Sequence, residues 1–158
     1  MNPVLFTERL VLRLPESGDL DAWAEFSADP NTMRYLGGTQ SRAESWRGLC
    51  AMRGAWDIRG FGMFSVTERE TGRWVGRIGP WEPEGWPGRE IGWGVAREFA
   101  GRGYAYEAAC ATMDFAFDVL GSFCQPRARL DRLTLGDVGR WMQGEARQLG
   151  VDPLQLSE

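Results

Sequence analysis

Glu90-Ile91-Gly92-Trp93-Gly94-Val95-Ala96-Arg97-Glu98-Phe99-Ala100-Gly101-Arg102-Gly103-Tyr104-Ala105 joins a run of strand character to the start of a helix, and its reading decides the fold. Residues 90–95 set aromatic and branched side chains around Gly92 and Gly94, which predicts a strand that its inner glycine pair bulges or splays. From Tyr104 to Leu120, Ala105, Ala108, Ala109, Thr112, Met113, Ala116 and Leu120 share one stripe, with Glu107, Ala111, Asp114 and Asp118 opposite; that period predicts an amphipathic helix. Between the two, Gly101 and Gly103 let the backbone turn tightly and approach a ligand. The first free N–H groups of the helix then converge on one point that attracts an anion, and Arg102 offers a charge-assisted contact. A lone Gly-x-Gly also serves an ordinary strand-to-helix turn, so the surrounding elements have to decide its meaning.

Working outward, Arg9-Leu10-Val11-Leu12-Arg13-Leu14 alternates closely enough for a strand, and Pro15 to Asp19 supplies turn and helix-start signals. A first helix with Leu20, Trp23, Ala24 and Phe26 on one face ends at Asp29-Pro30, because the residue before Pro avoids helical geometry. A second, over Ser41 to Arg53, sets Ala43, Trp46, Leu49 and Cys50 at helical spacing. Phe61 to Thr67 and Trp74 to Trp81 read as an antiparallel pair across a turn containing Gly72, and 82–88 is a loop by composition. Beyond Gly121, Leu130 to Leu135 fits a strand and Gly139 to Leu149 a helix stopped by Gly150.

A chain of 158 residues is the size of one domain, and 43% hydrophobic residues with eight Trp supply its core. No long apolar run occurs and mean hydropathy is -0.36, which predicts no membrane span; the N-terminus lacks the pattern of a secretory signal, which predicts a cytoplasmic protein. Cys50, Cys110 and Cys124 form an odd set in a chain without His, so neither a disulfide framework nor a metal site is expected. A net charge of -4 without a basic helix argues against nucleic acid as a partner.

The loop Ala100-Gly101-Arg102-Gly103-Tyr104-Ala105 directly after a glycine-interrupted strand resembles the phosphate loop Gln/Arg-x-x-Gly-x-Gly/Ala of the GNAT N-acetyltransferases, with Ala100 departing from the first position. Glu90 to Val95, Gly103-Tyr104-Ala105-Tyr106-Glu107-Ala108 and Thr7-Glu8-Arg9-Leu10-Val11-Leu12-Arg13 are similar to the branch that contains ribosomal-protein N-terminal acetyltransferases. The resemblance covers residues 3–121. It implies an α/β (α+β) fold with a mixed, mostly antiparallel central sheet and flanking helices, and transfer of an acetyl group from acetyl-CoA to a primary amine, on a protein N-terminus or a small molecule.

The resemblance places the diphosphate on Gly101, Arg102, Gly103, Tyr104 and Ala105, and pairs the pantetheine arm with the backbone around Trp93 and Val95 by strand addition. A backbone N–H near Val95 is the candidate oxyanion donor. Glu90 is the candidate general base, weighed against a solvated strand-end carboxylate paired with Arg89 or Arg73. Trp81, Trp86 and Trp93 are candidates for an acceptor pocket, weighed against core packing. Family members often use a Tyr on a later helix as acid; the tyrosines here are Tyr35, Tyr104 and Tyr106, so no acid is assigned. After Gly121 the resemblance fades: Arg140 and Gln143 fall where the family has Asn and Ser, and no final hairpin fits in 151–158. An exposed sheet edge would then predict a homodimer. The alternative is a catalytically impaired domain that binds acetyl-CoA or a partner without turnover.

Overall fold

A computed structural model describes residues 2–86 and 88–120. The expected strand 130–135, helix 139–149, hairpin deficit and Cys124 lie outside the described residues. The elements run β1 Leu5–Phe6, β2 Leu10–Arg13, α1 Leu20–Ala28, α2 Pro30–Met33, α3 Arg42–Arg59, β3 Phe64–Glu68, β4 Trp74–Trp81, β5 Glu90–Val95 and α4 Tyr104–Leu120. The strands form one antiparallel sheet in the order β1-β2-β3-β4-β5, flanked by the helices.

Alternation carries β2: Leu10 and Leu12 are fully buried while Val11 and Arg13 are half-buried. Asp29 ends α1 in extended geometry and its carboxylate accepts from the amides of Asn31 and Thr32, so the Pro that stops one helix starts the four-residue α2, which the sequence reading leaves out. The second long helix starts as expected, at a Ser41–Glu44 capping box, but runs to Arg59 and stops at Gly60 with φ 75°. Its buried face is Ser45, Leu49, Met52 and Trp56, so the expected stripe of Ala43, Trp46, Leu49 and Cys50 is out of phase; Trp46 and Cys50 are exposed. Trp56 fixes that phase. Its ring stacks on Phe64 at 4.7 Å and Phe115 at 5.9 Å, and its Nε1 donates to the Met63 carbonyl at 2.9 Å.

Two apolar clusters sandwich the sheet. One gathers Trp23, Phe26, Met33, Leu49, Met52, Met63 and Trp74 under α1–α3; the other gathers the β2 leucines, Val75, Ile78, Ile91, Phe99 and the inner face of α4. The expected bulge in β5 is absent: β4 and β5 pair without a break from Gly76↔Val95 to Trp81↔Glu90. The irregularity sits between β3 and β4 instead, where Val66 opposes Gly76 and Thr67 opposes Trp74. This phase shift turns both Trp74 and Arg77 toward α1, where Trp74 packs on Trp23 and Phe26, each at 5.6 Å. Gly92 and Gly94 serve a different purpose from the one expected. A Cβ on Gly94 would lie 2.7 Å from Phe26 Cζ, and one on Gly92 2.3 Å from Met63 Cε, so the missing side chains admit the two neighbours down to backbone level.

Among the described residues no helix is long and apolar enough to cross a membrane, and no group of three His, Cys, Asp or Glu side chains is placed to hold a metal.

Candidate active site

β5 is the last strand of the described sheet, and its outer edge faces away from β4. The Ala96 amide donates to Val75 O at 2.8 Å, so Ala96 turns its polar groups toward β4. Backbone polar groups alternate sides along a strand, and the amides and carbonyls of Val95 and Trp93 therefore point away from β4, to an edge that no other strand pairs with among the described residues. The Trp93 side chain packs half-buried against the α4-side cluster, opposite Ile78, and Val95 joins the same cluster.

From Val95 the chain makes one 3-10 turn, Arg97–Phe99, whose Phe99 is 1% exposed and anchors the loop. Gly101 and Gly103 then adopt φ 73° and 78°, a region costly for any residue with a Cβ, and α4 begins. Its first intrahelical bond runs from the Glu107 amide to the Gly103 carbonyl at 3.0 Å. Among the described residues, no acceptor takes a hydrogen bond from the backbone amides of residues 101 to 106. Gly101, Arg102 and Gly103 are exposed, Ala105 is half-buried and Tyr104 is buried. The Arg102 guanidinium lies over the Phe99 ring at 5.5 Å. Five of the expected residues therefore meet at one place: an exposed, glycine-shaped turn with unspent donors at the positive end of a long helix.

The turn rests on a frame that the sequence reading misses. Tyr104 donates its hydroxyl to Glu68 on β3 at 2.6 Å; the hydroxyls of Thr71 and Tyr104 hold the Glu68 carboxyl below its ordinary range. Arg73 pairs with Glu98 and sets its guanidinium 4.8 Å from the Phe99 ring centre. From the turn between β1 and β2, Arg9 donates Nε to Glu107 at 2.7 Å and an Nη to the Arg102 carbonyl at 2.9 Å, with its guanidinium 4.5 Å from the Tyr104 ring. Glu107, expected on the solvent side of α4, is instead consumed here, accepting also from the Thr7 hydroxyl at 2.5 Å and the Arg9 amide at 2.8 Å. Burial pushes its carboxyl up, but those donors outweigh burial and hold it below the ordinary range. The signal available in the sequence was Thr7-Glu8-Arg9, which has no local meaning.

At the opposite end of β5, Glu90 is exposed and shares the α1–α3 face with Gly92 and Gly94. The alternative pairing is not observed: Arg89 bonds Glu82 at 3.0 Å and Arg73 bonds Glu98, and among the described residues Glu90 has neither hydrogen bond nor ion pair. The three tryptophans do not form one pocket. Trp81 packs against the α1–α3 cluster, Trp93 against the α4 side, and Trp86 is 48% exposed on the loop between them.

Deep on the α1–α3 side of the sheet lies Arg77, which pairs in register with Gly94; its guanidinium sits over Trp23 and Phe26 at 5.4 and 5.8 Å, and burial lowers its pKa to about 10.

The fold and this turn define a class. A family model described as an acetyltransferase (GNAT) domain matches residues 9–141. An uncharacterized N-acetyltransferase, p20, of Bacillus licheniformis is 31% identical over 119 residues, covering 73% of this chain and 67% of that protein. The crystal structure of an acetyltransferase from Agrobacterium tumefaciens str. C58 superposes with a TM-score of 0.70 at 36% identity, over 76% of this chain and 70% of that one. A putative ribosomal-protein-serine acetyltransferase from Vibrio cholerae shares the fold with a TM-score of 0.64 at 24% identity, over 79% and 75% of the two chains. The chain belongs to the GNAT acetyltransferase family.

Proposed function

We propose that the chain acts as one catalytic domain that transfers an acetyl group from acetyl-CoA to a primary amine, on a protein N-terminus or a small molecule, by direct attack in a ternary complex. The observation that carries this reading is that, among the described residues, the outer edge of β5 at Trp93 and Val95 pairs with no strand and the amides at the start of α4, one 3-10 turn further on, meet no acceptor. The cosubstrate is an extended arm ending in a diphosphate, and this is an extended edge ending in an anion seat.

In this reading Gly101, Arg102, Gly103, Tyr104 and Ala105 seat the diphosphate, and Trp93 and Val95 hold the arm through their backbones. Glu90 lies five strand residues from Val95, about 17 Å along β5, so it takes the proton of the incoming ammonium through a file of waters along the strand, because an amine attacks a thioester only when unprotonated. The nitrogen lone pair then adds to the carbonyl carbon. The oxyanion that forms is met by the Val95 amide, a fixed donor, and its collapse breaks the C–S bond and releases the thiolate of coenzyme A. The reading also carries a cytoplasmic location, a homodimer and no resident metal.

Calorimetric titration with acetyl-CoA tests the seat. Binding that disappears in Gly103→Val supports it, and a wild-type chain that does not bind overturns it. Thiol release over a panel of peptide and small amines then separates turnover from silent binding.

A further inference from the structure

We infer that Arg9, which reaches the loop from the opposite end of the sequence, is part of the diphosphate seat and masks the carboxylate that stands in the first turn of α4. The inference rests on the acetyl-CoA reading above and assigns a residue that the loop itself does not contain.

Three features of Arg9 carry it. Its guanidinium is held in place by Glu107, by the Arg102 carbonyl and by the Tyr104 ring, so little side-chain freedom remains to be lost when an anion arrives. The remaining nitrogen, Nη2, lies 3.5 Å from the point a Gly103 Cβ would occupy, and among the described residues it has no hydrogen-bond partner. A charged donor edge is therefore left open at the glycine that begins α4. Moreover, the loop has little else of this kind: Ala100 carries no polar side chain, and the Arg102 guanidinium lies over Phe99.

Glu107 gives Arg9 its second task. This carboxylate stands in the first turn of α4, where the free amides would gather phosphate, and a bare negative charge there repels the ligand. Arg9 covers it with an ion pair at 2.7 Å, so loss of Arg9 both removes a positive charge and uncovers a negative one. A purely structural bracket between β2 and α4 makes a different prediction, since breaking either partner would then loosen the loop equally.

The test is calorimetry with coenzyme A on wild type, R9Q, R9K, E107Q and R9Q/E107Q at low and moderate salt. R9Q is expected to raise Kd about tenfold and to flatten its salt dependence, and R9K to recover part of the loss. E107Q alone is expected to tighten binding about twofold, and in the R9Q background to restore Kd to within about threefold of wild type. The inference is overturned if R9Q binds like wild type, or if E107Q weakens binding and the double variant is no better than R9Q. Should R9Q not fold, the sign of the E107Q effect decides alone. A wild-type chain that does not bind sinks the cofactor reading itself, which is a distinct result.

Discussion

The two ends of β5 are built in opposite ways. At its C-terminal end, buried Phe99 has the guanidinium groups of Arg73 and Arg102 over its ring, Tyr104 is tied to β3 through Glu68, and Arg9 and Thr7 clamp Glu107. At the N-terminal end, Glu90 stands exposed beside a loop whose Trp86 is 48% exposed. Side chains from several separate elements converge on the first end, while at the second the described contacts centre on Arg89, which bonds Glu82 at 3.0 Å and lies over the Phe61 ring at 4.4 Å. The difference teaches where the fold invests its order: in the half that would hold a constant cosubstrate, while the half that would meet a variable amine is left to loops.

Changes at the two ends should therefore separate cleanly. Glu90→Gln is expected to lower kcat by about a hundredfold to ten-thousandfold while the Kd for acetyl-CoA stays put; steady-state kinetics beside calorimetry would break the comparison if both constants moved together. Asp19→Ala belongs to neither end and calibrates damage to the framework. That carboxylate is 3% exposed, takes 2.7 and 2.9 Å bonds from Arg13 and a 2.6 Å bond from Ser65, and its removal leaves Arg13 with only the more exposed Glu16 as an ion-pair partner among the described residues, for a loss of about 3 kcal/mol in urea unfolding. Gly103→Val should cost about a hundredfold in acetyl-CoA affinity, because a β-branched residue resists φ 78° and the amide fan would re-aim. Retained affinity there would mean that the braced end is not the seat.

A smaller effect should come from acid. Burial raises the Asp19 carboxyl, but Arg13, Ser65 and the Glu16 amide together lower it below its ordinary value of 3.8. Its stabilisation is therefore complete above that value and is lost as pH falls below it, at no more than about 1.4 kcal/mol per pH unit. Unfolding midpoints from pH 5 to 2 would check the slope, and Asp19→Asn should flatten it. Smallest of all, Trp86→Ala should change stability by less than about 0.5 kcal/mol, since the ring is half in solvent; a large shift would show that the loop end is braced after all.

Much of the architecture was legible because its signals are local. Asp29-Pro30 marks the end of α1, Gly72 the β3–β4 turn, and the stripe from Tyr104 marks the start of α4. Phase was less legible than existence. The face of α3 is chosen by Trp56, which lies past the expected end of that helix and docks on residues from β3 and α4. The misplaced bulge has a similar origin, since glycine in a strand marks either a kink or a close approach and the sequence does not say which. Trp81 and Trp93 could be grouped only while their faces were unknown. Of the candidate site, the glycine turn was readable in one short stretch. The Arg9–Glu107 clamp was not, because its partners are 98 residues apart and only the folded sheet brings them together.

The glycines of β5 also make that strand a poor place to trim a substrate pocket. Phe26 and Met63 press on bare backbone there, with no side chain to give way between helix and strand. Any enlargement of either neighbour would be transmitted as a displacement of the strand, and so of the edge proposed to hold the acyl donor. Attempts to retune acceptor choice by mutating α1 should thus register first as altered handling of the acyl donor, whereas insertions between 82 and 88 should leave donor handling untouched.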